Sequence, residues 1–106
     1  MKAAVYFKNR LAGILEKVNN DEYVFEYSDD YINDRSSESI SLTLPKSIKT
    51  HYSKILFPFF FGLLSEGTNK KMQCSILKID EEDHFTRLIK TADLDTIGAV
   101  TVREIT

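Results

Sequence analysis

The sequence predicts an α+β fold, in which a mostly antiparallel β-sheet (a meander, partly barrel-like) carries a cluster of about three helices on one side. Period-two alternation of apolar and polar residues runs from Ala3 to Tyr27, broken by the polar clusters Lys8-Asn9-Arg10 and Asn19-Asn20-Asp21. From Ile55 to Ile89 the apolar residues fall at helical spacing instead. Alternation then returns from Ile97 to Ile105. Strands, then helices, then a strand make one layer of each.

Each element has a local reason. Ala3 to Phe7 alternates around Val5 and Tyr6, so it reads as a strand. Asn9 tolerates left-handed backbone angles, which makes Lys8-Asn9-Arg10 a tight hairpin turn. Leu11 to Val18 is the return strand, with a bulge or sharp twist expected at Gly13. Tyr23, Phe25 and Tyr27 then share one face of a third strand. Ser28 to Ser39 is polar and acidic and reads as a surface loop with room for one helical turn. Ile40, Leu42 and Leu44 alternate with Ser41 and Thr43, which predicts a fourth strand ended by Pro45. Lys46 to Ser53 reads as a polar loop.

The helical part opens with Ser53 as a candidate cap and Pro58 in a first turn. Ile55 to Leu64 is apolar all round, which predicts a short, largely buried helix. Glu66-Gly67 reads as its stop. Thr68 is placed to cap a second helix, in which Met72, Ser75, Ile76 and Ile79 fall at helical spacing. Asp80 is expected to start a third helix, with Asp83 three residues on and Phe85, Leu88 and Ile89 as its buried stripe. Asp93 to Thr96 reads as a loop before the closing strand, Ile97 to Ile105.

Length and composition restrict the function. The 106 residues suit a single domain, 1–106, with one hydrophobic core. The net charge is −2 with acids and bases interleaved, and no basic stripe suits a nucleic acid. A lone cysteine, Cys74, and no apolar leader at the N-terminus fit a reducing cytoplasm. The most apolar run, Ile55 to Leu64, is far shorter than the ~20 residues a membrane helix needs.

Catalytic chemistry finds little support. His51 and His84 have no second His or Cys at metal-ligand spacing. Cys74 lies near Lys70, Lys71 and Lys78, which could lower its pKa, but the sequence offers it no histidine motif. A thiol enzyme built on Cys74 and His84 is therefore the weaker reading beside a structural thiol. The run Asp80-Glu81-Glu82-Asp83 lacks the glycine of a calcium loop and reads as a helix N-terminus. Asp29-Asp30 reads as loop solvation. Gly13, Gly62, Gly67 and Gly98 are too scattered to cradle phosphate. Tyr6, Tyr23, Phe25 and Tyr27 read as core rather than as base-stacking platforms. No catalytic, metal or cofactor-binding residue is assigned.

More specific signals lie in order along the chain. Val5 onward reads V-Y-F-K-N-R-L-A-G-I-L-E, Leu44 to Gly67 reads L-P-K-S-I-K-T-H-Y-S-K-I-L-F-P-F-F-F-G-L-L-S-E-G, and Ile97 to Val100 reads I-G-A-V. This resembles the N-terminal domain of HipA-type serine/threonine kinases, the toxins of bacterial toxin–antitoxin systems. That family's pattern has a V-x-x-x-G-x-x-A-G-x-L hairpin, then S-L-S-L-P, then F-F-x-G-L-L-P-E-G, and closes on G-A-V. The matching stretches here are Val5 to Leu15, Ser39 to Pro45, Phe60 to Gly67 and Gly98 to Val100. Arg10 stands where the family often has glycine, Ser65 replaces the usual proline, and Thr68 stands where a larger residue, frequently tryptophan, is common.

In full-length members this domain precedes a kinase domain bearing the ATP site, so a chain ending at Thr106 reads as the detached first domain. The resemblance implies a stand-alone small subunit, the antitoxin of a tripartite system. It would pair with a HipA-like kinase and neutralise or regulate it, with a helix-turn-helix DNA-binding protein in the same complex. The alternative is a scaffold subunit needed only to assemble the kinase with that DNA-binding protein. Either role is cytoplasmic and non-catalytic, with no cofactor, no direct nucleic-acid contact and no membrane. The candidate partner-binding residues are Ser65, Glu66, Gly67, Thr68 and Asn69.

Overall fold

The structure is a computed structural model that describes residues 1–64, 67–80, 82–91 and 99–105; at 67–69, 73 and 91 only the helical backbone is described. The strands are β1 (Lys2–Phe7), β2 (Arg10–Asn19), β3 (Glu22–Tyr27), β4 (Thr50–Ser53) and β5 (Val100–Glu104). The helices are α1 (Asp29–Asn33), α2 (Pro58–Phe61), α3 (Gly67–Leu77) and α4 (His84–Thr91). The strands form one antiparallel sheet in the order β4-β3-β2-β1-β5. The expected α+β meander is thus present. The sheet is open rather than partly barrel-like: β4 and β5 lie at opposite edges and do not pair with each other.

The first hairpin follows its sequence closely. Lys8 and Asn9 take φ of 52° and 67°, the paired left-handed geometry of a two-residue turn, and Phe7 faces Arg10 across it. The expected irregularity is beside Gly13. Val5 pairs with Gly13 but Tyr6 pairs with Leu11, so Ala12 is the extra residue. Gly13 serves a close approach: a Cβ there would stand 2.3 Å from the Glu26 carbonyl oxygen on β3.

Ile40 to Leu44 is not a strand. Ser41 and Leu44 form only an isolated bridge, and Leu42 is fully exposed. The serine and threonine side chains capture the backbone locally: Ser41 Oγ accepts from the Thr43 amide at 3.2 Å, and Ser39 Oγ from the Lys46 amide at 2.9 Å. The edge position belongs to Thr50–Ser53, expected to be loop, with Tyr52 facing Val24 and His51 facing Phe25. Thr50 and Tyr52 suit a half-exposed edge strand.

Ala3, Val5, Leu15, Tyr23, Phe25, Tyr27, Val100 and Val102 are buried on the sheet and meet Phe57, Phe60, Phe85, Leu88 and Ile89 from the helical layer. Phe60 lies 5.7 Å from Phe25 and 6.1 Å from Phe57, ring centre to ring centre. On α4 the stripe Phe85, Leu88, Ile89 is buried as expected. That helix begins at His84 rather than at Asp80, because Asp83 caps it: Asp83 Oδ1 accepts from the Thr86 amide at 3.2 Å. The expected loop at Asp93 to Thr96, and Ile97 and Gly98 of the closing strand, lie outside the described residues.

Candidate protein interface

The segment read as one buried helix, Ile55 to Leu64, is an extended entry followed by a single turn. Ser53 Oγ accepts from the Ile55 amide at 3.2 Å, which bends the chain out of β4 rather than capping a helix. Proline disfavours helical angles at the residue before it, and Phe57 is accordingly extended, with φ −52° and ψ 133°. Helix α2 therefore starts only at Pro58, and after Phe61 the chain tightens through bonds from the Leu63 amide to Phe60 and the Leu64 amide to Phe61, both 3.1 Å.

This geometry splits the apolar run into two sides. Leu56, Phe57, Phe60 and Leu64 are buried, and Phe59 and Leu63 pack partly against the core. Ile55, Pro58, Phe61 and Gly62 are exposed. With Leu56 and His84 they line an open groove of about 400 Å³. Pro58, Phe61 and Gly62 share a face because they are three and four residues apart, and the small Pro58 and Gly62 leave the hollow. The His84 ring stands edge-on to Phe61, 4.9 Å between centres at 80°.

Arg87 is buried and its guanidinium reaches His84 Nδ1 at 3.2 Å. Guanidinium only donates, so Nδ1 faces it as the acceptor, and Nε2 lies 3.9 Å from a Glu82 carboxylate oxygen. His84 is thus a wall of the groove, with its nitrogens turned to Arg87 and Glu82. An opening lined this way is apolar and open, with the shape and chemistry that suit an apolar side chain.

The other singled-out residues lie elsewhere. Cys74 is buried on α3. His51 Nε2 meets the Pro45 carbonyl at 3.1 Å. Asp29 and Asp30 open α1, where Ser28 Oγ accepts from the Tyr31 amide at 3.3 Å, and Asp29 pairs with Lys49 at 2.5 Å. Among the described residues, no cluster of His, Cys, Asp or Glu could hold a metal ion, and no helix is long and apolar enough to cross a membrane.

Of the expected contact residues, Ser65 and Glu66 lie outside the described residues, and Gly67, Thr68 and Asn69 form the first turn of α3. Helix α3 therefore opens at Gly67, the residue read as the stop of the previous helix, and takes in Thr68, read as its cap. The groove wall at Phe61 and Gly62 lies directly upstream of them. Sequence reasoning missed this groove because a run of apolar residues reads as core; the available signal was Pro58 and Gly62, four apart on one face.

A family model described as the HipA N-terminal domain matches residues 3–103. A Haemophilus influenzae relative, described as an uncharacterized protein, is 29% identical over 100 residues, spanning 94% of this chain and 89% of its own. Among solved structures, one titled N-terminal domain of HipA toxin superposes with a TM-score of 0.72, covering 99% of this chain and 94% of that one at 23% identity. At that identity the likeness speaks to the fold.

Proposed function

Because the chain belongs to the HipA N-terminal domain family, for which a toxin–antitoxin-related role and association with HipA-type partners are the coarse expectation, we propose that it binds a HipA-like serine/threonine kinase and neutralises it, as a non-catalytic antitoxin. The observation that carries this reading is the exposed groove of Ile55, Pro58, Phe61, Gly62 and His84 immediately before residues 65–69. Single exposed apolar residues are ordinary, but a contiguous apolar hollow marks a place where another surface fits. In this reading a kinase side chain fills the groove while Ser65, Glu66, Gly67, Thr68 and Asn69 make the adjoining polar contact.

Thr68 is small, so no deep aromatic plug enters the kinase from this chain, and inhibition comes from restraining the kinase's conformation. A helix-turn-helix DNA-binding protein completes the complex.

Co-expression with a HipA-like kinase tests this. Wild type restores growth, while Glu66→Lys and Gly67→Trp lose rescue with unchanged circular dichroism. A wild type that fails to rescue, yet is required for kinase and DNA-binding protein to co-purify, replaces the antitoxin with a scaffold subunit. Rescue by wild type and by both variants alike keeps the antitoxin and removes the 65–69 contact.

A further inference from the structure

Strand β4 is an edge of the sheet, and half of its backbone groups are unpaired. The Tyr27 amide donates to the Lys49 carbonyl at 2.9 Å, which sets the phase of the ladder: His51 and Ser53 exchange bonds with Phe25 and Tyr23. On β3 the even-numbered residues turn to β2 instead, in phase with the 2.8 Å bond from the Ser28 amide to the Ala12 carbonyl. By alternation, the N–H and C=O groups of Thr50 and Tyr52 point outward, away from β3. Among the described residues, nothing accepts from either amide. Tyr52 is 73% exposed. Three residues further on, Ile55 opens the groove it forms with Pro58, Phe61, Gly62 and His84.

We propose that β4 takes an added strand, and that its occupant is an extended, acid-bearing segment of the kinase-type partner; this rests on the kinase reading above. An open edge specifies its ligand by backbone: only an extended chain matches the outward groups of Thr50 and Tyr52. Continuity with the groove gives that chain a second foothold. From Tyr52 to Ile55 is about 10 Å at roughly 3.3 Å per residue, so one segment pairs with β4 and sets an apolar side chain beside Phe61. Area argues against a second copy. Pairing β4 with β4 of another copy uses only a four-residue ladder, short of the roughly 1,200 Å² that a stable interface buries. Charge gives the segment its acid. Residues 46–54 hold three lysines and no Asp or Glu. Lys46 is bonded to the Asp34 and Ser37 carbonyls and Lys49 to Asp29, while Lys54 is exposed and unpaired among the described residues. Asp21 and Glu22 border the same open hollow as Lys54, which leaves a single acid beside Lys54 as the match.

The test is amide hydrogen exchange of the full chain by NMR, alone and with a purified HipA-like kinase. The Thr50 and Tyr52 amides exchange freely in the free chain and slow about 10-fold or more in the complex, whereas His51, already in the ladder, changes less. Surface plasmon resonance supplies the second measurement. Tyr52→Pro removes the outward N–H without touching a bond to β3, and binds about 10-fold more weakly than Tyr52→Ala, which loses the same side chain but keeps the N–H. Lys54→Glu slows association and lessens its salt dependence. Tight wild-type binding with unchanged exchange at Thr50 and Tyr52 overturns the added strand and leaves the kinase reading intact, as does equal binding by the proline and alanine variants when both keep wild-type circular dichroism. Unaltered association of Lys54→Glu overturns the acid-bearing occupant. Absence of wild-type binding overturns the kinase reading and the proposal together. Protection of the two amides that grows with the chain's own concentration, without kinase, assigns the edge to a second copy and overturns the proposal.

Discussion

The Tyr27 hydroxyl accepts a hydrogen bond from the Ile40 amide at 3.1 Å, and the same hydroxyl donates to the Leu44 carbonyl. One buried oxygen at the end of β3 thereby holds both ends of the Ile40–Leu44 loop. The Tyr31 ring stacks on Tyr27 at 5.8 Å, and its own hydroxyl donates to the Glu38 carbonyl. Burial pushes both phenols above their ordinary pKa, so both remain donors throughout the physiological range.

Tyr27→Phe keeps the ring and leaves the Ile40 amide and Leu44 carbonyl without this partner. The expected cost is about 1–3 kcal/mol in urea unfolding. Hydrogen exchange at 40–46 rises more than in the β1–β2 hairpin. Equal exchange in both segments contradicts the anchoring role.

Phe60 is fully buried between Phe25, Phe57 and Phe59. Phe60→Ala is expected to cost about 3–5 kcal/mol, a large share of a small domain's stability. Phe61→Ser, one residue on at the exposed groove, is expected to stay within about 1 kcal/mol of wild type. It should weaken kinase binding and growth rescue together. A comparable loss of stability at both positions would show that Phe61 belongs to the core.

Gly13→Ala places a methyl group 2.3 Å from the Glu26 carbonyl oxygen, a backbone atom that cannot step aside as a side chain could. At least about 1–3 kcal/mol of destabilisation is expected, read by chemical denaturation. An unchanged midpoint would mean that β2 and β3 are further apart than described.

The Asp34 carboxylate accepts from the Ser36 hydroxyl at 2.6 Å and pairs with Arg10 at 2.5 Å, which together hold it well below the usual carboxylate range. A folded-state pKa below the unfolded one contributes stability that is fully present above the ordinary value, about 3.9, and is lost as pH falls toward the folded value. Asp34→Asn should therefore melt earlier than wild type at neutral pH, with the gap closing below about pH 4. A gap independent of pH would assign the loss to packing instead.

The sequence by itself determined the local elements: the Lys8-Asn9 turn, the Tyr23-Phe25-Tyr27 face, the Phe85-Leu88-Ile89 stripe and the family. Each rests on contacts between neighbours a few residues apart, which periodicity and turn chemistry encode directly. Tertiary structure decided which segment became the fourth strand. Ile40–Leu44 has the better alternation, but Tyr27 and the local serines hold its backbone, and Thr50–Ser53 pairs with β3. Tertiary structure also decided which apolar residues face out. Phe57 and Phe60 are buried while Phe61 is exposed, and Cys74 is buried while Met72 and Ile76 are not. Hydropathy states how much surface a segment would bury, but the side it presents depends on a layer laid down by distant parts of the chain. The candidate interface is made of the residues for which those two disagree.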